Sequence, residues 1–78
     1  MRATVFVRPK EGILDPQGEA VEGSLRKLGF DVSAVRVGRV IDLEVRDGDD
    51  VRGQVERMCE ALLANSLIES YDIELADT

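Results

Sequence analysis

Cys59 is the only cysteine of this 78-residue chain, which contains no histidine. A thiolate can act as a nucleophile or a metal ligand, but catalysis also needs a base, and histidine is the commonest base and the commonest metal ligand. Cys59 lies beside Met58 on an apolar stripe, where free cysteines are mostly small core residues. We therefore predict a buried, unreactive thiol and no catalytic residue in this chain.

Two short motifs resemble ligand-binding loops. Gly18–Ser24 has the glycine spacing of a phosphate loop, but it lacks the lysine and falls inside a predicted helix whose amides are already bonded. Residues 47–50 (DGDD) resemble the start of a calcium loop, yet Val51 and Met58 stand where that loop requires carboxylates. We interpret residues 47–50 as a turn that caps a helix, and predict neither a cofactor site nor a metal site.

The chain has 10 basic and 16 acidic residues, so the grouping of the scarcer, positively charged side chains is informative. Arg8 and Lys10 flank Pro9, and Arg36 and Arg39 bracket a predicted turn. One interpretation is that these are ordinary solubilising charges. The other is a docking patch for an acidic protein surface, because arginine offers bidentate hydrogen bonds. On the second interpretation, the protein-binding residues are Arg8, Lys10, Arg36 and Arg39.

The composition argues against some classes of binding partner. The net charge of −6 argues against nucleic acid, whose phosphates attract a basic face, and 4% aromatic residues provide no base-stacking platform. No stretch is long and apolar enough to cross a bilayer, and the first residues do not read as a signal peptide. With a single thiol, this composition predicts a cytoplasmic protein.

The size of the chain favours association with other proteins. Residues 1–78 make a single domain, 44% hydrophobic and 33% charged, as is typical of globular proteins. So short a chain buries a modest core, and it has neither a disulfide nor a metal cluster to compensate. Oligomerisation or docking onto a partner is the remaining common source of stability.

The elements that would position these residues follow from the hydrophobic pattern. Asp15 can cap a first helix, Pro16 suits its first position, and Gly29 is a natural stop. Asp49 or Asp50 can cap a second helix. Strands are expected over Ala3–Arg8, Val32–Val37, Arg39–Arg46 and Tyr71–Leu75. The apolar stripe of the second helix consists of Val51, Val55, Met58, Cys59 and Leu62. A left-handed Asn65 is expected to end this helix.

This β-α-β-β-α-β order predicts an α+β fold. It is a two-layer, ferredoxin-like sandwich, with a four-stranded, mainly antiparallel sheet and both helices on one face. The uncovered face holds Phe6 if Val5 and Val7 face the helices. The second predicted strand is apolar on both sides, which adds Val32 and Ala34 to that face. We therefore expect Phe6, Val32 and Ala34 to form an oligomer interface, most simply a dimer.

Three stretches carry a resemblance to a known family: Val5–Gly18 (VFVRPKEGILDPQG), Val35–Arg39 (VRVGR) and Met58–Asn65 (MCEALLAN), with Ile68, Glu69 and Tyr71 after the last. They are similar to PurS, the small subunit of bacterial and archaeal phosphoribosylformylglycinamidine (FGAM) synthase. The resemblance covers essentially the whole chain. Two positions depart from the family, which often has Lys at position 39 and Pro at position 66.

The resemblance implies a non-catalytic role in de novo purine biosynthesis. In that synthase a glutaminase subunit, PurQ, releases ammonia from glutamine. A larger subunit, PurL, holds ATP and magnesium, activates the amide of formylglycinamide ribonucleotide and lets ammonia displace its oxygen. The implied partners are a second copy of the chain, PurL and PurQ, and the implied role is to bridge them and assist ammonia transfer. The chain would then be one subunit of an ATP-dependent carbon–nitrogen ligase.

Two alternatives remain open on the residues alone. A ferredoxin-like module that senses a small molecule often dimerises and binds its ligand at the interface. A small independent enzyme is disfavoured, because no nucleophile has a base nearby in sequence. The segment Val7–Gly18 is likewise read in two ways, as a stiff connector from strand to helix or as a surface that a partner recognises.

Overall fold

The computed structural model describes residues 1–77. In chain order its elements are strand β1 (Arg2–Pro9), helix α1 (Pro16–Lys27), strand β2 (Arg39–Glu44), helix α2 (Val51–Met58), a π-helical turn (Cys59–Leu63) and strand β3 (Glu69–Ala76). The α+β class and both helices are as predicted. The number of strands and the position of α1 are not.

β1 is the central strand of a three-stranded sheet. The order is β2-β1-β3, and both pairings are antiparallel. Val5 lies opposite Ile41 on one side and Ile73 on the other. Ala3, Val5 and Val7 of β1 are at most 1% exposed, because this central strand is flanked on both edges and covered on one face. The predicted alternation of β1 is confirmed.

The hydrophobic core lies between the sheet and α2. Its buried members come from β1, the residue after β2, α2, and the π-helical turn with the residue after it, and none comes from residues 8–44. They are Ala3, Val5, Val7, Val45, Val51, Val55, Cys59 and Ala64.

Helix α2 begins at Asp50 and ends in wider turns. Asp50 takes a left-handed φ of +56°, and its carboxylate accepts a hydrogen bond from the Gly53 N–H at 3.1 Å. The predicted cap is therefore confirmed. The predicted left-handed stop at Asn65 is wrong, since the helix ends at an extended Ala64 and Asn65 instead accepts the Leu67 N–H on its side chain.

Residues 11–38, here called the arm, leave the sheet between β1 and β2. The arm consists of a connector, α1 and a segment without regular secondary structure, 31–38, that runs back along the helix. Three hydrogen bonds join the two halves: Val37 N–H to Asp15 at 2.8 Å, Val35 N–H to Glu22 at 3.2 Å, and Arg26 Nε to the Val32 carbonyl at 3.0 Å.

The ends of α1 follow the predicted signals. Asp15 accepts the Gly18 N–H at 3.0 Å, and Pro16 occupies the first turn, where its missing N–H is no loss. After the helix, Gly29 takes a φ of +97°, and Phe30 donates its N–H back to the Leu25 carbonyl at 3.0 Å.

The arm makes the chain long and thin. Its dimensions are 50 × 28 × 14 Å, and its radius of gyration is 15.7 Å. A compact chain of this length has a radius of gyration of about 11.5 Å. The excess reflects an arm that projects from the sheet instead of folding over it.

Two features of the predicted four-stranded sandwich are therefore wrong. Val32–Val37 forms no strand with the rest of the chain, because residues 31–38 continue straight into β2 without the predicted turn at Gly38. The two helices do not share one face of the sheet, because α1 travels outward with this segment. The chain has strand-forming valines there but no neighbouring strand to pair with them.

The predicted apolar outer face is also wrong. Phe6 does lie on the face away from α2, opposite Val40 and Asp72. Val32 and Ala34 are in the arm instead, and Ala34 adopts a left-handed φ of +55°. Charged residues dominate the rest of the outer face, namely Arg2, Arg8, Asp42, Glu44, Asp72 and Glu74.

Candidate functional site

The sheet register gathers the four predicted protein-binding residues at one end of the molecule. Arg39 lies opposite Val7, and Glu69 opposite Pro9, so the end of β1 meets the beginnings of β2 and β3. The sequence left this placement open, because it depends on strand pairing. We call Arg8, Lys10, Arg36 and Arg39 the basic cluster.

Arg36 fastens the arm to the end of β1. Its Nη2 donates to the carbonyls of Pro9 and Lys10, at 2.9 and 2.8 Å. The side chain is exposed, so one edge of its guanidinium faces solvent while the other holds the backbone.

Arg39 is an internal clamp. It donates to both carboxylate oxygens of Glu69, at 2.7 and 3.1 Å, and to the Leu63 carbonyl at the end of the π-helical turn. The hydrogen bonds between the two side chains, more than the Coulombic attraction, raise the pKa of Arg39 and lower the pKa of Glu69. The alternation of β2 could have indicated this, because Arg39 has the same parity as the inward-facing Ile41 and Leu43.

Arg8 and Lys10 are the least engaged members of the cluster. The Lys10 Nζ donates to the Ser66 carbonyl at 2.7 Å, and an Arg8 nitrogen lies 3.8 Å from the Asp72 carboxylate. The Arg8 side chain is 64% exposed. An exposed pair at that distance contributes little, so Arg8 is available to another protein.

Exposed apolar side chains adjoin the basic cluster. The Lys10 N–H donates to the Ile68 carbonyl at 2.9 Å, which places the turn of residues 66–68 beside the cluster. Leu67 is 83% exposed, and Ile68 is 43% exposed. Leu62, which the sequence assigned to the core stripe of α2, is 83% exposed as well because the π-helical turn rotates it outward. Apolar anchors beside arginine and lysine are typical of protein interfaces.

Cys59 occupies the core, as predicted. It is fully buried, and burial raises its pKa, with a further contribution from Glu60 and Glu56. A thiol held protonated is a poor nucleophile. On the surface nearby, the carboxylate of Glu60 raises the pKa of the Tyr71 phenol.

Within residues 1–77, no three Cys, Asp or Glu side chains converge in a way that could hold a metal ion. Over the same residues, neither helix has the length and apolar character needed to traverse a lipid bilayer.

Known proteins resemble this chain over nearly its full length. The family model described as PurS, phosphoribosylformylglycinamidine (FGAM) synthase, matches residues 2–77. The phosphoribosylformylglycinamidine synthase subunit PurS of Archaeoglobus fulgidus is 46% identical over 94% of this chain and 95% of its own.

Solved structures match along the whole chain. A Bacillus subtilis PurS crystal structure has a TM-score of 0.91 and 40% identity, covering 97% of this chain and 98% of that one. A chain from the structure of PurLQS from Thermotoga maritima has a TM-score of 0.78 and 29% identity, covering 94% and 93%. The score of 0.91 over nearly all residues requires the arm and the sheet to stand in similar relative positions in both chains.

Proposed function

Because the chain belongs to the PurS family and is a subunit of FGAM synthase in purine biosynthesis, we propose that it is the non-catalytic bridge between the glutaminase and synthase subunits. The observation that carries this proposal is the basic cluster with its apolar neighbours, set at one end of a chain whose only thiol is buried. A chain similar to this one occurs in a structure of PurLQS, which supports PurL and PurQ as the partners.

A bridging subunit has a physical purpose in ammonia transfer. Ammonia released near neutral pH is mostly protonated in water, and ammonium has no lone pair for attack. A closed, protein-lined interface keeps the neutral amine away from bulk protons and holds it near its acceptor. Shape and docking surfaces serve this purpose, and catalytic side chains are not required of the subunit that closes the interface.

The proposal divides the chemistry among the subunits. ATP and magnesium bind to PurL, glutamine is hydrolysed on PurQ, and this subunit holds no cofactor. We place the assembly in the cytoplasm, where ATP is supplied, and expect no nucleic acid or membrane among its partners. The charge of −6 supports the exclusion of nucleic acid.

The basic cluster is the proposed docking surface for a larger subunit. Arg8 and Lys10 supply charge, and Leu67 and Ile68 supply apolar contact beside it. Arg36 and Arg39 are occupied by hydrogen bonds within the chain, so they shape the surface more than they bind through it.

A double substitution tests the docking surface. Arg8→Ala with Lys10→Ala should weaken assembly with PurL and PurQ about tenfold or more, since each side chain contributes on the order of 1 kcal/mol at an interface. Arg2→Ala with Arg46→Ala is the matched control, because it removes the same charge from the other end of the sheet. Sedimentation velocity of the mixed subunits measures both, and equal assembly of the two variants would refute the surface.

Reconstitution tests the bridging role itself. The isolated protein should show no synthase activity, and adding it to PurL and PurQ should restore turnover with glutamine. Turnover by PurL with ammonium should depend on it much less, because free ammonium bypasses transfer from PurQ. Equal dependence with both nitrogen sources would contradict a role in ammonia transfer.

We propose also that the chain associates with itself, as a dimer or a tetramer. Val21, Leu28 and Phe30 of the arm are 41%, 73% and 58% exposed, and large apolar side chains clustered in this way commonly mark an interface. The radius of gyration of 15.7 Å supports the same conclusion, since a chain so extended leaves its core small.

A further inference from the structure

Strand β3 lies at one side of the sheet, and its outer edge faces away from β1. The strand is eight residues long, and the strand order is β2-β1-β3. Its Ile73 carbonyl accepts from Arg52 of α2, and its Glu69 N–H donates to the Asn65 carbonyl at 2.7 Å. Because alternate residues of a strand direct their backbone groups to opposite sides, the odd-numbered residues of β3 serve the outer edge.

The backbone groups of this outer edge are almost unpaired. Within residues 1–77, the N–H groups of Tyr71, Ile73 and Leu75 have no hydrogen-bond partner. In the same part of the chain, only the Arg52 guanidinium reaches the edge between residues 71 and 75. Both of its contacts with the Ile73 carbonyl are 3.5 Å long, at the limit of a hydrogen bond. A long edge with unpaired donors and acceptors is a template for a strand from another protein.

An acidic groove adjoins the first half of this edge. It is open, has a volume of about 700 Å³, and lies between β3 and the helical segment formed by α2 and the π-helical turn. Its lining includes three acidic residues and one basic residue, Asp50, Glu56, Glu60 and Arg57, together with Tyr71 of β3. The Asp50 carboxylate already caps α2. Neither Glu56 nor Glu60 forms an ion pair within residues 1–77, so their two carboxylates can bind another molecule.

The positions of Glu56 and Glu60 are unfavourable within the helical segment itself. The two side chains are exposed and one turn apart, and like charges at that spacing repel each other. Glu60 also lies in the last turns of the segment, near carbonyl groups whose partial charge is negative. A cation supplied by another protein would relieve both effects, because it attracts the two carboxylates at once.

Strand pairing would place such a cation in the groove. Tyr71 lies opposite Val7 and packs against the core, so it points to the inner face of the sheet, the side that α2 covers. Residues directly opposite each other in an antiparallel pair point to the same face. A side chain opposite Tyr71 on an added strand would therefore point toward Glu56 and Glu60, which line the groove with Tyr71.

We propose that the outer edge of β3 and the acidic groove together bind an extended segment of one of the two larger subunits. The segment pairs antiparallel with β3, and its lysine or arginine opposite Tyr71 pairs with Glu56 and Glu60. A bridge needs two separate docking surfaces, and the basic cluster is the other one. Surfaces of opposite charge disfavour docking of either larger subunit at the wrong place. This inference rests on the bridging role proposed above.

Charge reversal tests the groove. Glu56→Lys with Glu60→Lys should weaken the binding of one larger subunit about 100-fold or more, because its cation then meets two like charges. The other larger subunit should stay bound. The variant should fold, since lysine is favourable near the end of a helix. Glu44→Lys with Glu74→Lys is the matched control, because it makes the same charge change on the outer face of the sheet. Sedimentation velocity with PurL and PurQ measures both variants.

The outcomes separate this inference from the bridging role. A wild-type protein that assembles with neither PurL nor PurQ would refute both. If the wild-type protein assembles, and the groove variant assembles as well as its control, only the groove is refuted. The groove variant should lose a different larger subunit from the one that Arg8→Ala with Lys10→Ala loses. Loss of the same subunit, or of both subunits, would overturn the inference, because the two surfaces would not then serve separate partners.

Hydrogen exchange tests the strand addition in the unaltered chain. The amides of Tyr71, Ile73 and Leu75 should exchange rapidly in the isolated protein and at least about tenfold more slowly after assembly with PurL and PurQ. The amides of Ser70 and Asp72 face β1 and should be protected in both states. Slow exchange of the odd-numbered amides in the isolated protein would show that a second copy fills the edge. Rapid exchange after assembly would show that no strand adds there, and either result would overturn the inference.

Discussion

Asp15 accepts hydrogen bonds from two parts of the arm. One carboxylate oxygen accepts the Gly18 N–H at the start of α1, and the other accepts the Val37 N–H of the returning segment at 2.8 Å. The bond from Val37, then the bond from Gly18, and the nearby Arg36 lower the pKa of Asp15. A single carboxylate thus caps the helix and fixes the chain that lies beside it.

The lowered pKa gives the arm a pH dependence. The stabilisation is present above the ordinary pKa of 3.8 and is lost as pH falls through the lower folded value. Asp15→Asn should therefore lower stability at neutral pH and flatten its decline on acidification. Urea unfolding at fixed protein concentration, at neutral pH and near pH 3, measures this. Asp31→Asn, the same charge change on the same arm, is the control, and an identical response from both would contradict the assignment.

Arg39 and Glu69 join three elements at the end of the sheet where the arm begins. Removing the paired charge with Glu69→Gln should cost about 1 kcal/mol, a value reduced by solvent screening of the half-exposed Arg39. Because the folded pKa of Glu69 is lowered, this contribution exists above the ordinary value of 4.5 and disappears on acidification. Chemical denaturation measures the loss.

A neighbouring exposed pair provides the comparison for Glu69. Asp72→Asn removes the partner of Arg8, which is 3.8 Å away and exposed, and should change stability by less than about 0.5 kcal/mol. Arg39→Lys should fall between the two in its effect on stability, since it keeps the charge but loses the bidentate geometry. If Glu69→Gln changes stability as little as Asp72→Asn does, the Arg39–Glu69 pair does not stabilise the fold.

At the scale of elements, the arm depends on a close approach between α1 and the segment beside it. A Cβ at Gly18 would lie 2.4 Å from both the Val35 carbonyl and the Asp15 carboxylate, so only glycine fits there. Gly23, one and a half turns further along the same helix, has nothing within 4 Å of its Cβ position. Alanine substitutions at these two glycines therefore separate the effect of tight packing on stability from the effect of helix propensity.

Gly18→Ala and Gly23→Ala should consequently act in opposite directions. Alanine at position 18 should separate the two halves of the arm and destabilise the protein by roughly 1–3 kcal/mol. Alanine at position 23 should stabilise the helix by up to about 1 kcal/mol, because it relieves the entropy cost of glycine. Thermal melts followed by circular dichroism test the pair. Destabilisation by both would imply that another surface also packs on Gly23.

The ends of the helices could be predicted from the sequence, because capping involves residues close together along the chain. Asp15, Pro16 and Gly29 mark the ends of α1, and Asp50 marks the start of α2, because caps depend on residues a few positions away. The Arg39–Glu69 pair spans 30 positions and depended on a strand register that local signals do not specify. The four-residue basic cluster could be named from the sequence, but the internal partners of Arg36 and Arg39 could not.

The misplaced strand has a different cause. Val32–Val37 was predicted from its strand-forming valines, but within residues 1–77 no strand pairs with it, its Ala34 is left-handed, and the N–H groups of Val35 and Val37 bond to side chains instead. Whether an apolar, extended segment turns back at Gly38 or continues outward is decided by packing. The valines favour a strand in either case, so the sequence pattern alone does not distinguish the two arrangements.

At the scale of the whole molecule, the proposed self-association makes the free energy of unfolding depend on protein concentration. The chain has a radius of gyration of 15.7 Å and eight buried core residues, and on the proposed self-association it gains further apolar burial from a second copy. Its unfolding midpoint should therefore rise with protein concentration, since mass action favours the associated folded state. A midpoint that is constant over a hundredfold dilution would contradict this.

Leu28 isolates the contribution of the arm to association. It is 73% exposed within its own chain, so Leu28→Ser removes little apolar contact from the single subunit. Burying a leucine contributes about 1.5–3 kcal/mol, and a symmetric pair buries two, so the dimer Kd should rise at least about 100-fold. Leu62→Ser is the matched control, because Leu62 is 83% exposed but lies outside the arm. Sedimentation equilibrium gives both constants, and an unchanged Kd for Leu28→Ser would show that the apolar side of the arm faces solvent in the assembled protein.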